Sequence, residues 1–308
     1  MSKESKLIKN TGIIAIGNIC TKFISFFMLP LYTSLLSTSE YGTVDVIGTY
    51  VALIAVILTL QFEQGIFRFL IDVRNNVELQ KKYISTAFYI VLGLCILFSL
   101  IAVPILVYFN YKYTFQLIIY VFGLSINAIV LQIPRGLGNN ILYAAGSCIS
   151  GSLNVILNVL FIAIFKLGVN GMLFASIISI FLSIIFIFKS LKLHKFLRIE
   201  YVKRKIFNEL IEYSFPLIPN TLCWWVVSAS DRIIINFFLN IVANGIYSVA
   251  CKFPSMFSMF SNIFQMAWTE SAAINVSDFG SNKYFDKIIN QAIRFYSASN
   301  IGVIVIMP

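Results

Sequence analysis

The chain has 308 residues, of which 59% are hydrophobic and only 12% are charged. Soluble domains average about 25% charged residues. The low charge, a mean hydropathy of +0.87 and repeated apolar runs of about twenty residues therefore exclude an ordinary soluble domain. The runs are continuous and not alternating, so the pattern predicts membrane-spanning helices.

The net charge of +10 does not indicate a nucleic-acid-binding protein, because the charges lie in short connections between apolar runs. All five cysteines lie inside apolar runs and none forms a CxxC pair, so neither a disulfide framework nor a metal site is expected. The sequence contains no GxxxxGK[ST] motif. We expect no cofactor.

Hydropathy predicts eight complete spans and part of a ninth. In chain order they cover roughly 12–36, 43–70, 83–109, 114–133, 141–165, 170–189, 214–238, 244–270 and 291–308. The first run resembles a signal peptide at its basic start, but it is too long for one and carries Lys22 in its middle. It is interpreted as an uncleaved first helix.

The distribution of Lys and Arg predicts the orientation. With the N-terminus placed inside, 17 of these residues fall in inner segments and only two, Lys112 and Lys166, in outer ones. Basic residues concentrate on the cytoplasmic side of membrane proteins. The N-terminus and the basic segment 190–213 are therefore predicted to be cytoplasmic.

The outer connections argue against an enzyme of polysaccharide assembly. Segments such as 37–42 and 239–243 are only a few residues long. A membrane glycosyltransferase or polymerase usually needs a large outer loop or domain for its acidic catalytic residues. The chain is expected not to be an enzyme.

An internal echo relates the first two spans to the seventh and eighth. The short outer turn of the first pair reads Ser39-Glu40-Tyr41-Gly42, and that of the second pair reads Asn244-Gly245-Ile246-Tyr247-Ser248. Glu63 and Glu270 follow the tyrosines of these motifs, Tyr41 and Tyr247, at nearly the same distance along the sequence. The echo indicates a parallel repeat with a six-helix period, and such repeats in transporters place the substrate site between the two halves.

Two paired motifs resemble a known family. Leu29-Pro30-Leu31-Tyr32-Thr33 with Glu40-Tyr41-Gly42 is similar to the opening of bacterial polysaccharide flippases of the O-antigen and capsule type. So is Ser230-Asp231-Arg232 with the later segments 245–250 and 252–254. These flippases belong to the multidrug/oligosaccharidyl-lipid/polysaccharide exporter superfamily.

The resemblance implies an all-α polytopic bundle, a MATE-like transporter of two six-helix lobes. Residues 1–189 would form the first lobe, 190–213 a basic cytoplasmic connection and 214–308 the start of the second lobe. Family members have twelve or more spans, so the second lobe is expected to be incomplete, with two spans and part of a third. We therefore expect that the 308-residue chain alone does not complement a flippase-null strain.

The implied activity is translocation of an undecaprenyl-pyrophosphate-linked oligosaccharide across the bacterial inner membrane for surface polysaccharide synthesis. Alternating access of the two lobes would move the cargo. The implied partners are the lipid-linked oligosaccharide and membrane lipids, with a polysaccharide polymerase and chain-length proteins as further partners.

Polar residues within the spans give the candidate site. A charge at the bilayer centre costs at least about 2.5–3.5 kcal/mol on insertion scales, so such residues need a partner or a function. Candidate contacts for the anionic head of the cargo are Lys22, Arg232, Lys252, Asn18, Asn262 and Gln265. Candidate ion-coupling residues are Glu63 and Asp231. The structural alternative is that these charges pair internally, for example Asp231 with Lys252.

Three other functions compete with this hypothesis. A cation-coupled drug exporter or a lipid II flippase would use the same fold for another amphipathic cargo. A membrane enzyme of polysaccharide assembly would usually need a large outer loop, and the predicted outer connections of this chain are short. A membrane scaffold that transports nothing would leave the polar and charged residues within the spans unexplained.

The charge count makes a topology prediction. In intact cells, and in a background without native cysteines, an impermeant thiol reagent should label a cysteine at position 112 and miss one at position 195. Labelling at position 195 would reverse the orientation.

Overall fold

Residues 28–252 are described by a computed structural model and are helical, with no strand in that range. The helices are α1 (Leu29–Leu35), α2 (Thr38–Thr59), α3 (Phe62–Asp72), α4 (Val77–Tyr108), α5 (Thr114–Gly136), α6 (Asn140–Asn158), α7 (Gly168–Ser190), α8 (Arg204–Ser214), α9 (Leu217–Phe238) and α10 (Ile241–Ala250). A π-helical segment, Val159–Ile164, extends α6.

Five helical segments in the described range are long and apolar enough to cross a membrane. They are Thr38–Thr59, Val77–Tyr108, Thr114–Gly136, Asn140–Ile164 and Gly168–Ser190. This confirms the predicted all-α, multi-pass membrane bundle. The large side chains that remain exposed on α4, such as Leu100 and Ile101, suit contact with lipid because they are apolar.

Helix α5 is the centre of the bundle. It packs against α2, α3, α4, α6 and α7, and its residues Ile129, Val130 and Ile133 are fully buried. Interior positions of this kind hold a membrane bundle together by close van der Waals packing.

Consecutive spans reverse direction when α2 and α3 are counted as one interrupted span, and this gives the bundle two distinct ends. One end carries the two short connections at 36–37 and 239–240, and we call it the turn end. The other carries the segment 191–203 between α7 and α8, and we call it the linker end.

At the turn end, α2 begins with a complete capping box. The Ser37 hydroxyl accepts a hydrogen bond from the Glu40 backbone N–H at 3.3 Å, and the Glu40 carboxylate accepts one from the Ser37 N–H at 2.9 Å. This reciprocal arrangement satisfies two N–H groups that a helix start otherwise leaves open. The start of α2 is thereby fixed just before Gly42.

The second predicted span, 43–70, is interrupted in the structure. Leu60 and Gln61 adopt left-handed backbone conformations with φ of 49° and 56°, and they divide the span into α2 and α3. Such conformations cost non-glycine residues about 1–2 kcal/mol each. Packing offsets this cost, because the new direction of α3 buries Phe62, Ile66 and Leu70 completely.

The linker end is fastened to α4 by specific hydrogen bonds. The Ser85 hydroxyl donates to the Phe196 carbonyl at 2.6 Å, and the Lys203 N–H donates to the Thr86 hydroxyl at 3.3 Å. Tyr83 donates to the Glu209 carboxylate of α8 at 2.5 Å. The amphipathic helix α8 therefore lies against α3 and α4.

Candidate functional site: the contact between α2, α9 and α10

Two glycines bring α2 and α10 into backbone contact at the turn end. A Cβ atom at Gly42 would overlap the Ile241 carbonyl oxygen and lie 2.9 Å from the Gly245 nitrogen. A Cβ atom at Gly245 would overlap the Thr38 carbonyl oxygen. Small residues permit this kind of close helix crossing in membranes. The two echoed motifs therefore meet each other directly.

Asn244 ties the same crossing together. Its side chain is fully buried, and its Nδ2 donates a hydrogen bond to the Gly42 carbonyl at 3.3 Å. Hydrogen bonds of this kind between membrane helices contribute about 0.6 kcal/mol on average. The bond fixes the register of α10 on α2.

An ion pair lies deeper on the same side of α2. Arg232 Nε of α9 is 3.2 Å from Asp45 Oδ2 of α2, and the two side chains are 26% and 16% exposed. Asp45 is seven residues after the start of α2, and Arg232 is six residues before the end of α9. At 1.5 Å per residue both charges lie about 9–10 Å inside the turn end. We call Gly42, Asp45, Arg232, Asn244 and Gly245 the turn-end contact.

Asp231 is engaged elsewhere, although it precedes Arg232 directly. Its Oδ1 accepts a hydrogen bond from the Arg232 backbone N–H at 2.9 Å, and its Oδ2 accepts one from the Tyr247 hydroxyl of α10. Adjacent residues on a helix do not face each other. Asp231 therefore joins α9 to α10, whereas Arg232 joins α9 to α2.

Glu63 lies just after the break at Leu60–Gln61, on the first turn of α3. Its Oε2 atom is buried and has no hydrogen-bond partner among residues 28–252. An unsatisfied carboxylate oxygen beside a broken membrane helix is unusual, because buried polar groups are almost always paired. Glu63 is about 24 residues of helical chain from the turn end and lies toward the linker end.

The structure places only some of the predicted site residues. Arg232, Asp231 and Glu63 take the positions given above, and Lys252 lies two residues after α10, half-buried, at the edge of the described range. Asn18, Lys22, Asn262 and Gln265 lie outside the residues that the structure describes.

Asp45 is the functional candidate that sequence reasoning missed. It lies within the second predicted span, 43–70, but the sequence analysis assigned it no partner. The available signal was depth in the membrane: Asp45 lies seven residues after the start of α2 and Arg232 six residues before the end of α9, and the echo assigns these helices to its two related pairs. An acid and a base at one level of neighbouring membrane helices favour a pair.

This arrangement of helices is the fold of the MATE transporters. The chain is similar to a multidrug resistance MATE family transporter of the MOP superfamily in its outward-facing conformation (TM-score 0.61, 14% identity), over 96% of this chain and 78% of that one. An inward-facing conformation of such a transporter gives a TM-score of 0.55 at 15% identity, over 75% of this chain and 60% of that one. The chain thus spans less than two thirds of the length of that relative.

A MOP superfamily transporter from Pyrococcus furiosus, described as having a binding pocket of reverse polarity that suggests a different function, gives a TM-score of 0.60. Its identity is 14%, over 89% of this chain and 71% of that one.

The Polysaccharide biosynthesis protein family matches residues 7–269, and the chain belongs to that family. No curated protein matches the chain.

The glycine crossing makes a prediction about stability. Gly42→Ala should force α2 and α10 apart and destabilise the protein by about 1–3 kcal/mol, the usual cost of overpacking. Thermal unfolding in detergent should show a lower midpoint. The matched control is Gly48→Ala on the same helix, where nothing that the structure describes lies within 4 Å of a new Cβ. Equal midpoints for the two variants would contradict the backbone contact.

Proposed function

We propose that this protein moves an undecaprenyl-pyrophosphate-linked oligosaccharide across the bacterial cytoplasmic membrane for surface polysaccharide synthesis. Membership of the Polysaccharide biosynthesis protein family supports the class of cargo, and the MATE-type fold supports a transport role. A polysaccharide polymerase and chain-length proteins would receive the product, as in O-antigen and capsule assembly.

The observation that carries the proposal is the position of Arg232. It is a guanidinium about 9 Å inside the turn end, between helices of the two predicted lobes, and it is a quarter exposed. A guanidinium matches the geometry and charge of a phosphate better than any other side chain. An anionic head group is therefore the cargo feature that this position suits.

The proposed orientation places the N-terminus and the linker end in the cytoplasm. The segment between α7 and α9 supports this orientation, since it holds six Lys and Arg residues. The turn end would then face outward. With α2 held against α9 and α10 there, the described contacts are those expected of a state closed to the outside.

The remaining cargo and coupling residues complete the proposal. Lys22, Lys252, Asn18, Asn262 and Gln265 would contact the cargo together with Arg232. Glu63 and Asp231 would bind the coupling proton or cation. The buried oxygen of Glu63 supports a coupling role, because that atom has no hydrogen-bond partner among residues 28–252.

A cation-coupled drug exporter is the second candidate. The likeness to multidrug resistance MATE transporters favours it, as do the carboxylates of Asp45 and Glu63 within the spans. A drug exporter would bind cationic amphiphiles, whereas a flippase would bind a pyrophosphate lipid.

Lys22 provides the test of cargo binding. In a strain lacking its own flippase, full-length protein with Lys22→Ala should reach normal membrane abundance but reduce surface polysaccharide by about tenfold or more, equivalent to about 1.4 kcal/mol. Lys22→Arg should keep part of the activity because it keeps the charge. Lys112→Ala, outside the spans, is the control and should export normally. Normal polymer with Lys22→Ala at normal abundance would exclude the cargo role of Lys22.

Glu63 provides the test of coupling. In proteoliposomes, Glu63→Gln should abolish the stimulation of lipid translocation by a proton or sodium gradient, while Glu212→Gln, an exposed carboxylate of α8, should retain it. A gradient response that survives in Glu63→Gln would assign coupling to another residue.

A further inference from the structure

Arg135 is a half-buried arginine at the linker end of α5. It forms no ion pair with any residue in the described part of the chain. Two other arginines at the linker ends of α3 and α5 are already engaged. Arg68 pairs with Asp72 at 2.7 Å, and the Nε atom of Arg74 donates a hydrogen bond to the Gly136 carbonyl at 2.8 Å. Arg135 therefore differs from its neighbours in what holds its charge.

A close crossing of α3 and α5 sets the position of Arg135. A Cβ atom at Gly136 would lie 2.7 Å from the Cβ atom of Leu70, which is closer than two non-bonded carbon atoms can approach without repulsion. Phe67 lies one turn before Leu70 on α3, and Arg135 directly precedes Gly136 on α5. As a result, the Arg135 Cζ atom lies 4.1 Å from the centre of the Phe67 ring.

A second ring, from α6, completes this setting. The Arg135 Cζ atom is also 5.7 Å from the centre of the Tyr143 ring. A guanidinium over an aromatic face is attracted by the ring and needs no N–H group for the contact. Its one hydrogen bond within residues 28–252 is a long one, 3.4 Å from Nη1 to Oε1 of Gln132. Arg135 is therefore held in place while most of its N–H groups are available to another acceptor.

A guanidinium prepared in this way suits a phosphate. Its N–H groups form a planar fork that binds two oxygens of one anion at once. The cytoplasmic bias of basic residues accounts for a positive charge at this end, but not for a guanidinium held against two rings. The setting of Arg135 thus points to an anion with several acceptor oxygens.

The depth of Arg135 matches the head-group region of the membrane. It is the next-to-last residue of α5, Phe67 is five residues before the end of α3, and Tyr143 is three residues after the start of α6. At 1.5 Å per residue these residues lie about 2–8 Å inside the linker end. Arg232 lies near the opposite end, so roughly 20 Å separates the levels of the two arginines. One pyrophosphate would contact them in succession.

We propose that Arg135, held by Phe67 and Tyr143, is the entry site that first binds the pyrophosphate of the lipid-linked cargo. The inference rests on the proposed function and names the start of the same path. With the linker end in the cytoplasm, cargo in the inner leaflet meets Arg135 before Arg232. Phe67 and Tyr143 are positioning residues, because they hold the guanidinium and leave its N–H groups to the ligand. Bulk anionic lipids share the phosphate chemistry, but the second phosphate favours the cargo.

The experiment reads out the linker end locally. An environment-sensitive fluorophore is attached through Ile141→Cys, an exposed position on the first turn of α6, in full-length protein without its native cysteines. The protein is reconstituted in phosphatidylcholine nanodiscs. The probes are undecaprenyl pyrophosphate and undecaprenol, and binding of each is also measured directly with radiolabelled lipid. Undecaprenyl pyrophosphate should change the emission in a saturable way, whereas undecaprenol, which has no phosphate, should not.

Substitutions identify the group that binds. Arg135→Gln removes the charge and the fork, so the half-maximal concentration of undecaprenyl pyrophosphate should rise about tenfold. Arg135→Lys keeps the charge alone and should raise it about threefold, as should Phe67→Leu, which removes the ring. Arg68→Gln is the matched control, because Asp72 engages that guanidinium, and it should behave as wild type. Unfolding midpoints identify destabilised variants, and Arg135→Lys carries the test if Arg135→Gln does not fold.

The outcomes separate the entry site from the function. If wild type binds undecaprenyl pyrophosphate but Arg135→Gln keeps the wild-type half-maximal concentration, the entry site is wrong and the flippase proposal stands. Binding without a response at position 141 has the same meaning. Phosphatidylglycerol in the nanodisc should preserve the difference between wild type and Arg135→Gln. Loss of that difference would assign the site to bulk anionic lipid and overturn the entry role. If wild type binds no undecaprenyl pyrophosphate, both proposals fail.

Discussion

The backbone contact between α2 and α10 is the constraint on which the rest of the turn end depends. Only glycine at positions 42 and 245 allows the two helices to approach this closely. That approach in turn brings Asn244 within hydrogen-bonding distance of the Gly42 carbonyl. It also sets the level at which α9, joined to α10 by a short connection, presents Arg232 to Asp45. Sterics therefore position the charges.

Charged side chains within the bundle are accommodated by different means. Asp45 and Arg232 neutralise each other, while Asp231 is held by Tyr247 and a backbone N–H. Glu63 lies where a broken helix has already changed the local backbone, and one of its oxygens has no hydrogen-bond partner in the described range. These differences matter in a low-dielectric medium, because a polar group without a partner raises the free energy of the folded protein far more there than in water. The bundle thus contains charged side chains whose partners the structure shows, and one carboxylate oxygen, in Glu63, that has no hydrogen-bond partner in the described range.

Within the described residues, the sequence predicted five membrane spans that the structure confirms, because continuous apolar runs leave few alternatives to helices in a membrane. The echoed motifs around Gly42 and Gly245 were also visible, and the structure shows that they touch. The break at Leu60–Gln61 was not predictable, since neither residue favours a left-handed backbone and the cause is the packing of Phe62, Ile66 and Leu70. The pairing of Arg232 with Asp45 was missed for a related reason: helix spacing gives faces along one helix but not the rotation of its neighbour.

The docking of α8 has a mechanical consequence. Gly65 admits the Ser214 side chain, and Tyr83 binds Glu209, so α8 is clamped to α3 and α4. Only Phe215 and Pro216 separate α8 from α9, and both keep near-helical backbone angles. Helices α8 and α9 are therefore joined by a short connection with near-helical geometry. Any change in the direction of α9 relative to the docked α8 has to be accommodated at Phe215 and Pro216.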